Sequence, residues 1–141
     1  MIRSVIKSGD AEGYEAHVTH RGQLVTAPLK FSEPYTATAS SINTAYEIAP
    51  AKVGQRFVIT DILLDADRNV SANTPATVVL YEATAGDTTT ASKTILSIEM
   101  LKNTNRVITG LNVILTQNVW FLLKTDDATI NATILGYYVE A

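Results

Sequence analysis

The chain has no cysteine, which excludes disulfides, thiolate metal sites and cysteine nucleophiles together. It has two histidines, His17 and His20, so general-base catalysis has few candidates. Basic residues are no commoner than acidic ones: 11 against 14, a net charge of -3, without the basic excess of a general nucleic-acid binder. No segment reaches the roughly 18 consecutive apolar residues of a membrane helix, so neither nucleic acid nor membrane is expected as a partner. The opening stretch Met1 to Lys7 has a charge but no long apolar run behind it, and is read as lacking a signal peptide. There is no GxSxG elbow, Walker loop or HExxH pair. No catalytic residue, metal or cofactor is assigned, and the chain is expected not to be an enzyme.

What is present points to strands. The 141 residues fit one domain, and 46% of them are hydrophobic against 18% charged, enough to bury a core. Thr occurs 19 times and Ile and Val 12 times each; branching at Cβ restricts the first side-chain torsion and suits a pleated strand. The 17 alanines pull toward helix, but many sit in stretches such as Thr36 to Ser41, where they read as small loop or edge residues.

Residues 1 to about 23 lack steady periodicity and are broken by Gly9, Gly13 and Gly22. They read as an arm, with short strands at Glu15 to Thr19 and Gln23 to Ala27, packed on its own domain or on a neighbouring chain. Regular strand signals begin at Asn43 to Ile48, which ends at Pro50. After Gly54-Gln55, Arg56 to Leu64 is apolar on both faces: Val58, Ile62 and Leu64 on one, Phe57, Ile59 and Leu63 on the other. Such a strand is either covered on both sides or shifts register at a bulge near Asp61. Asp65 to Pro75 reads as an exposed loop, Thr77 to Glu82 as a strand. Lys93 to Leu101 alternates as a strand, although Ile95, Ile98 and Leu101 also repeat at helical spacing; its neighbours favour the strand. Arg106 to Leu115 reads as one strand bent at Gly110, Val119 to Lys124 as a short buried strand, and Thr129 to Val139 as a cleanly alternating last one. About eight antiparallel strands at short intervals predict an all-β fold, a β-sandwich of jelly-roll type.

Each constellation with chemical potential has a plainer reading. His17 and His20 share a face on a helix but point oppositely on a strand, so a zinc site is not expected. Asp65-Ala66-Asp67-Arg68-Asn69 has the spacing of a calcium-loop opening, but lacks its glycine and distant glutamate and contains Arg68; its acids read as solvated turn carboxylates. Many carboxylate pairs could meet, and nothing selects one for glycoside hydrolysis. Trp120 lies in the most apolar strand and reads as core rather than as a sugar platform. Of Tyr137 and Tyr138, adjacent on a strand, one faces in and the other out, toward a partner.

Two stretches carry a family resemblance. Ser8 to Leu24, a glycine-rich start followed by Ala16-His17-Val18 and Gly22-Gln23-Leu24, resembles the N-terminal segment of small structural proteins of tailed-bacteriophage virions. Tyr46 through Pro50 and Gly54-Gln55-Arg56 to Ile62, and onward to Ile134-Leu135-Gly136-Tyr137, is similar to their β-sandwich domain; Gln117-Asn118 stands where many relatives have Gly-Asp. The resemblance implies an arm over residues 1–31 that anchors or bridges subunits, and a β-sandwich over residues 32–141. It implies a non-enzymatic capsid decoration or cement protein, located in the virion after assembly in the host cytoplasm. Head-fibre, collar or tail subunits are the alternatives within the same class. The expected partners are further copies of the chain, as a trimer, and the major capsid protein or other virion proteins. Tyr14, Val18 and Leu24 of the arm, Phe57, Ile59 and Leu63 of the doubly apolar strand, and Tyr137 are the residues expected to meet them. The rival from another class is a module for host-surface glycans, which requires exposed aromatics in a groove.

Overall fold

The computed structural model describes residues 6–7, 15–18, 24–25, 32–67, 74–127 and 129–140. The chain divides into two units, Met1–Phe31 and Ser32–Ala141. In the first, β1 (Ile6–Lys7), β2 (Glu15–Val18) and β3 (Leu24–Val25) pair antiparallel in that order. Of the loop expected over Asp65 to Pro75, Asp65 and Ala66 belong instead to the end of the strand Gln55–Ala66, and residues 68–73 lie outside the described residues, as do Tyr14 and His20.

The second unit is all-β and antiparallel, with nine strands in two sheets. They are β4 (Glu33–Ala39), β5 (Tyr46–Ala49), β6 (Gln55–Ala66), β7 (Ala76–Ala83), β8 (Lys93–Met100), β9 (Asn105–Ile108), β10 (Val113–Ile114), β11 (Trp120–Thr125) and β12 (Ile130–Glu140). One sheet has the order β10-β6-β12-β4, with β9 beside β10 on the same side of β6; the other has the order β5-β11-β7-β8. The pairings nest along the chain: β7 with β8, then β6 with β9 and β10, β5 with β11, and β4 with β12. A single core cluster draws on both sheets, with Phe57, Ile59, Ile62, Leu64, Ile130 and Ile134 from the first. Val78, Leu80, Met100, Phe121 and Leu123 come from the second.

Two departures from the sequence reading have clear causes. β4 occupies residues expected to be loop or edge. Its alternation is real but small in volume: Tyr35, Ala37 and Ala39 pack on the core while Thr36 and Thr38 stay exposed. Alanine serves there because β12 lies alongside with larger residues, Ile130 opposite Ala39 and Ile134 opposite Tyr35. Pro34 is accommodated because β4 is an edge strand. The second departure is in β6. The β6–β12 register shifts between Leu135, opposite Asp61, and Gly136, opposite Ile59, which leaves Thr60 as an extra residue. The bulge inverts the alternation, so Phe57 and Ile59 share the core with Ile62 and Leu64, while Val58 and Leu63 face the other way. Thr60 carries the bulge through its side chain, which donates to the Leu135 carbonyl at 3.0 Å, and its carbonyl accepts from Leu111 N–H at 2.8 Å. Strand pairing along β6 is interrupted at the same point, between β9 and β10. Lys93–Met100 is a strand, and its alternative helical spacing reflects a bulge: Leu96 faces Leu80 and Thr94 faces Tyr81, with Ile95 extra.

Opposite the β6 bulge, Gly136 admits the Phe57 ring. A Cβ built there would lie 2.5 Å from Phe57 Cζ and closer still to the Val58 carbonyl oxygen. The ring stands edge-on to Tyr35 at 5.0 Å and Tyr138 at 5.1 Å and tilts on Phe121 at 5.8 Å, linking both sheets through one aromatic group.

Candidate functional surfaces

The second unit has three surfaces with binding potential: the outer face of each sheet, and the corner where the chain passes from β8 to β9. They differ in how far the chain's own residues cover them.

The outer face of the four-stranded sheet carries Tyr81, Ala83, Leu122 and Trp120, a second apolar cluster separate from the core. The connection from β7 to β8, residues 84–92, lies across it. Tyr81 Oη donates to the Thr88 carbonyl at 2.8 Å, and Lys124 Nζ donates to the Thr89 carbonyl at 2.6 Å while standing 4.9 Å over the Tyr81 ring. Gly86 packs flat on the indole: a Cβ there would come within 2.8 Å of Trp120 Cε3. Tyr81 and Leu122 are consequently 0% exposed although they face away from the core. Burial also raises the Tyr81 hydroxyl above the ordinary tyrosine range. Trp120 is half-buried and packs on this second cluster rather than between the sheets, and Gly86 occupies one face of its indole.

The outer face of the five-stranded sheet is less covered. Across it, Val107 stands opposite Leu63 and Thr133 continues the row; Ile114 stands opposite Val58 and Tyr137 continues that one. Leu63 is 38%, Val107 61% and Ile114 49% exposed. Asp61 and Asp65 lie on the same face, two residues to either side of Leu63, and Asp61 accepts from Gly110 N–H at 3.3 Å.

At the β8–β9 corner is a cleft of about 790 Å³, lined by Pro75, Ile98, Met100, Leu101 and Arg106 among others, with Glu99 on its β8 side. The turn from Leu101 to Thr104 is closed by Thr104, whose N–H and hydroxyl both donate to the Leu101 carbonyl. Thr104 in turn offers its own carbonyl to Ala66 N–H at 2.9 Å.

The residues expected to meet a partner separate on this structure. Phe57 and Ile59 are 3% and 0% exposed and belong to the chain's own core, because the bulge turns them inward; they present no surface to a second chain. Leu63, expected beside them, is on the opposite face and exposed. Tyr137 is half-buried on that outer face, whereas Tyr138 points inward and donates to the Pro50 carbonyl at 2.6 Å. Val18 and Leu24 lie on β2 and β3, and their side chains, like Tyr14, fall outside the described residues. Val107 and Ile114 were missed; the signal available was their place on the bent strand running beside the doubly apolar one.

Among the described residues the titratable groups form no catalytic constellation. Glu82 is a 3% exposed carboxylate that accepts from Thr116 N–H at 3.0 Å and from its hydroxyl at 2.5 Å, holding the segment between β10 and β11 to the end of β7. Among the described residues no group of three or more acidic or histidine side chains is placed to hold a metal ion. Comparison with known proteins finds no family model, no curated protein and no solved structure that matches the chain.

Proposed function

We propose that this chain is a non-enzymatic structural subunit of a tailed-phage virion, a capsid decoration or cement protein built on a jelly-roll β-sandwich. The observation that carries the reading is the nesting of the strand pairs, β7–β8 inside β6–β9/β10 inside β5–β11 inside β4–β12. A long hairpin wrapped on itself into two sheets gives that order, which is the wrapping of a jelly roll. The resemblance noted in the sequence falls on the parts that define this wrapping. Tyr46 to Pro50 is β5 and its end, Gly54-Gln55-Arg56 turns into β6, and Ile134 to Tyr137 spans the bulge partner Gly136.

On this reading residues 1–31 anchor or bridge subunits and residues 32–141 cover or project from the shell. The protein acts through binding linkage: a subunit with affinity only for the assembled shell stabilises it by about 2.7 kcal/mol when present at a hundred times its dissociation constant. Symmetric oligomers are the default for such subunits, and a trimer matches the local threefold axes of an icosahedral head. The test is to add the purified protein to assembled phage heads that lack it, and to measure co-sedimentation and the temperature of head disruption. Saturable binding with a raised disruption temperature is expected; heads that neither retain the protein nor gain stability overturn the proposal.

A further inference from the structure

We propose that copies of this chain associate edge to face: the Val107–Leu63 row on the outer face of the five-stranded sheet seats against the β8–β9 corner cleft of the next copy. The inference deepens the virion-subunit reading by naming its self-contact and takes from that reading only the expectation of an oligomer.

Three of the four sheet faces in the second unit are covered by the chain itself. The two inner faces share the core, and residues 84–92 cover the outer face of the four-stranded sheet. The remaining face keeps Leu63, Val107 and Ile114 in contact with solvent. Its charges are of one sign around Leu63: Asp61 and Asp65 lie two residues away on the same strand face, each about 7 Å along β6. The cleft has the opposite character. Its apolar wall includes Pro75, Ile98 and the 52% exposed Leu101. Arg106 lines it, and Lys102 stands exposed on the adjoining turn, against the single acid Glu99.

This complementarity selects a second copy and a particular geometry. With the Leu63 row set against itself across a twofold axis, Asp61 and Asp65 would meet like charges, which disfavours an isologous dimer centred there; Arg56, an exposed cation of this face, stands apart at the Val58 end of β6. Face against cleft sets two carboxylates toward two cations around an apolar centre. The contact is heterologous, and heterologous contacts build rings or filaments according to whether the rotation closes. Both surfaces share β9, since Val107 belongs to the face and Arg106 to the cleft.

Sedimentation velocity of the full chain over a wide concentration range tests this. The expected wild-type mass is a whole multiple of 15.2 kDa greater than one. Val107→Lys and Leu101→Lys, one on each side of the contact, are expected to weaken association about a hundredfold each while circular dichroism and melting stay those of the wild type. Asp65→Arg and Arg106→Asp each weaken it, and the doubly swapped chain regains the wild-type mass. Val53→Lys, at a 95% exposed position between β5 and β6, leaves the mass unchanged. A monomeric wild type overturns the inference, as do Val107→Lys and Leu101→Lys chains that keep the wild-type mass. An oligomer untouched by these changes refutes this contact and leaves the virion reading standing. An intact oligomer that ignores phage heads refutes the virion reading and leaves the contact standing.

Discussion

Replacing Gly136 by alanine adds a single methyl group to a central strand, where such a change ordinarily helps: a strand glycine carries an entropic cost, and alanine relieves it by about 0.5–1 kcal/mol. Here the opposite sign is expected. The added Cβ would overlap the Val58 carbonyl oxygen and lie 2.5 Å from Phe57 Cζ and 2.8 Å from Phe57 Cε1. The carbonyl belongs to a strand paired on both sides, with β10 and β12, and cannot withdraw alone. The ring cannot withdraw either, because Tyr35, Tyr138 and Phe121 surround it. Overpacking a close-packed core costs about 1–3 kcal/mol, and two clashes at one site place Gly136→Ala at the upper end, about 3 kcal/mol. The assay is urea unfolding with Gly136→Ala, Phe57→Leu and the double variant. The midpoint of Gly136→Ala is expected to fall at unchanged slope, with a melting temperature about 10 °C lower. Phe57→Leu removes the ring that meets the new methyl, so the double variant should lose less than the sum of the two single losses, a coupling of about 1 kcal/mol. A Gly136→Ala protein as stable as the wild type would refute the argument, and with it the placement of the bulge at Thr60.

Thr116→Val keeps the shape of the side chain but removes a donor from the buried Glu82 carboxylate, and should cost about 1.5–3 kcal/mol in chemical denaturation, more than Thr90→Val on the exposed connection. Gly86→Leu should push the indole of Trp120 out from under residues 84–92 and red-shift its emission; an unshifted spectrum would contradict the packing of that connection. Lys124→Met should speed amide exchange in residues 84–92 while leaving β11 protected, since it removes the hydrogen bond to Thr89 and the contact with the Tyr81 ring. Alkaline pH should unfold the protein. Burial, with Tyr35 and Glu47 nearby, holds the Tyr138 hydroxyl far above the ordinary value near 10, and burial first, then Glu33, raises Tyr35 as well. Below pH 10 these hydroxyls are protonated whether the chain is folded or not, so their contribution is fully present; above it only the unfolded chain releases the protons, and stability falls as pH rises. Tyrosinate absorbance followed across this range should lag in the native protein behind the urea-unfolded one, and coincident curves would contradict the burial.

The strands legible in the sequence were those whose side chains are large. β6, β7, β11 and β12 announce themselves by branched and aromatic residues, and the alternation of β12 matches its burial residue for residue, Ile130, Ala132, Ile134 and Tyr138 inward. β4 was illegible because its inward residues include two alanines, whose strand role depends on a neighbour more than ninety residues away, Ile130 opposite Ala39. The β6 bulge was anticipated near Asp61, but not which residues it would bury: one extra residue at Thr60 exchanges the faces of everything before it. This is why Phe57 and Ile59 looked like surface on the sequence and are core in the fold. Trp120 packs on the second cluster rather than between the sheets for a related reason. A strand apolar on both faces implies a cover, and the sequence does not say that the cover is the polar segment 84–92.

These particulars change what the apolar excess of the chain means. One strand carried the case for surface hidden by other subunits, β6, and the bulge turns Phe57 and Ile59 of it into the chain's own core; the apolar outer side of β11 is likewise covered from within, by residues 84–92 over Leu122 and Trp120. Among the described residues, what is left over is Leu63, Val107 and Ile114 on one sheet face, with Ile42, Val53 and Leu101 on connections between strands. An assembly contact has to be sought there. Phe57→Ala would therefore act on folding, costing about 3–5 kcal/mol by emptying the aromatic centre of the core, and would weaken association only through loss of the folded chain. Val107→Lys acts on the surface alone and should leave the unfolding midpoint within about 0.5 kcal/mol of the wild type. Measuring both changes by unfolding and by sedimentation separates a residue that builds the subunit from one that joins it to the next.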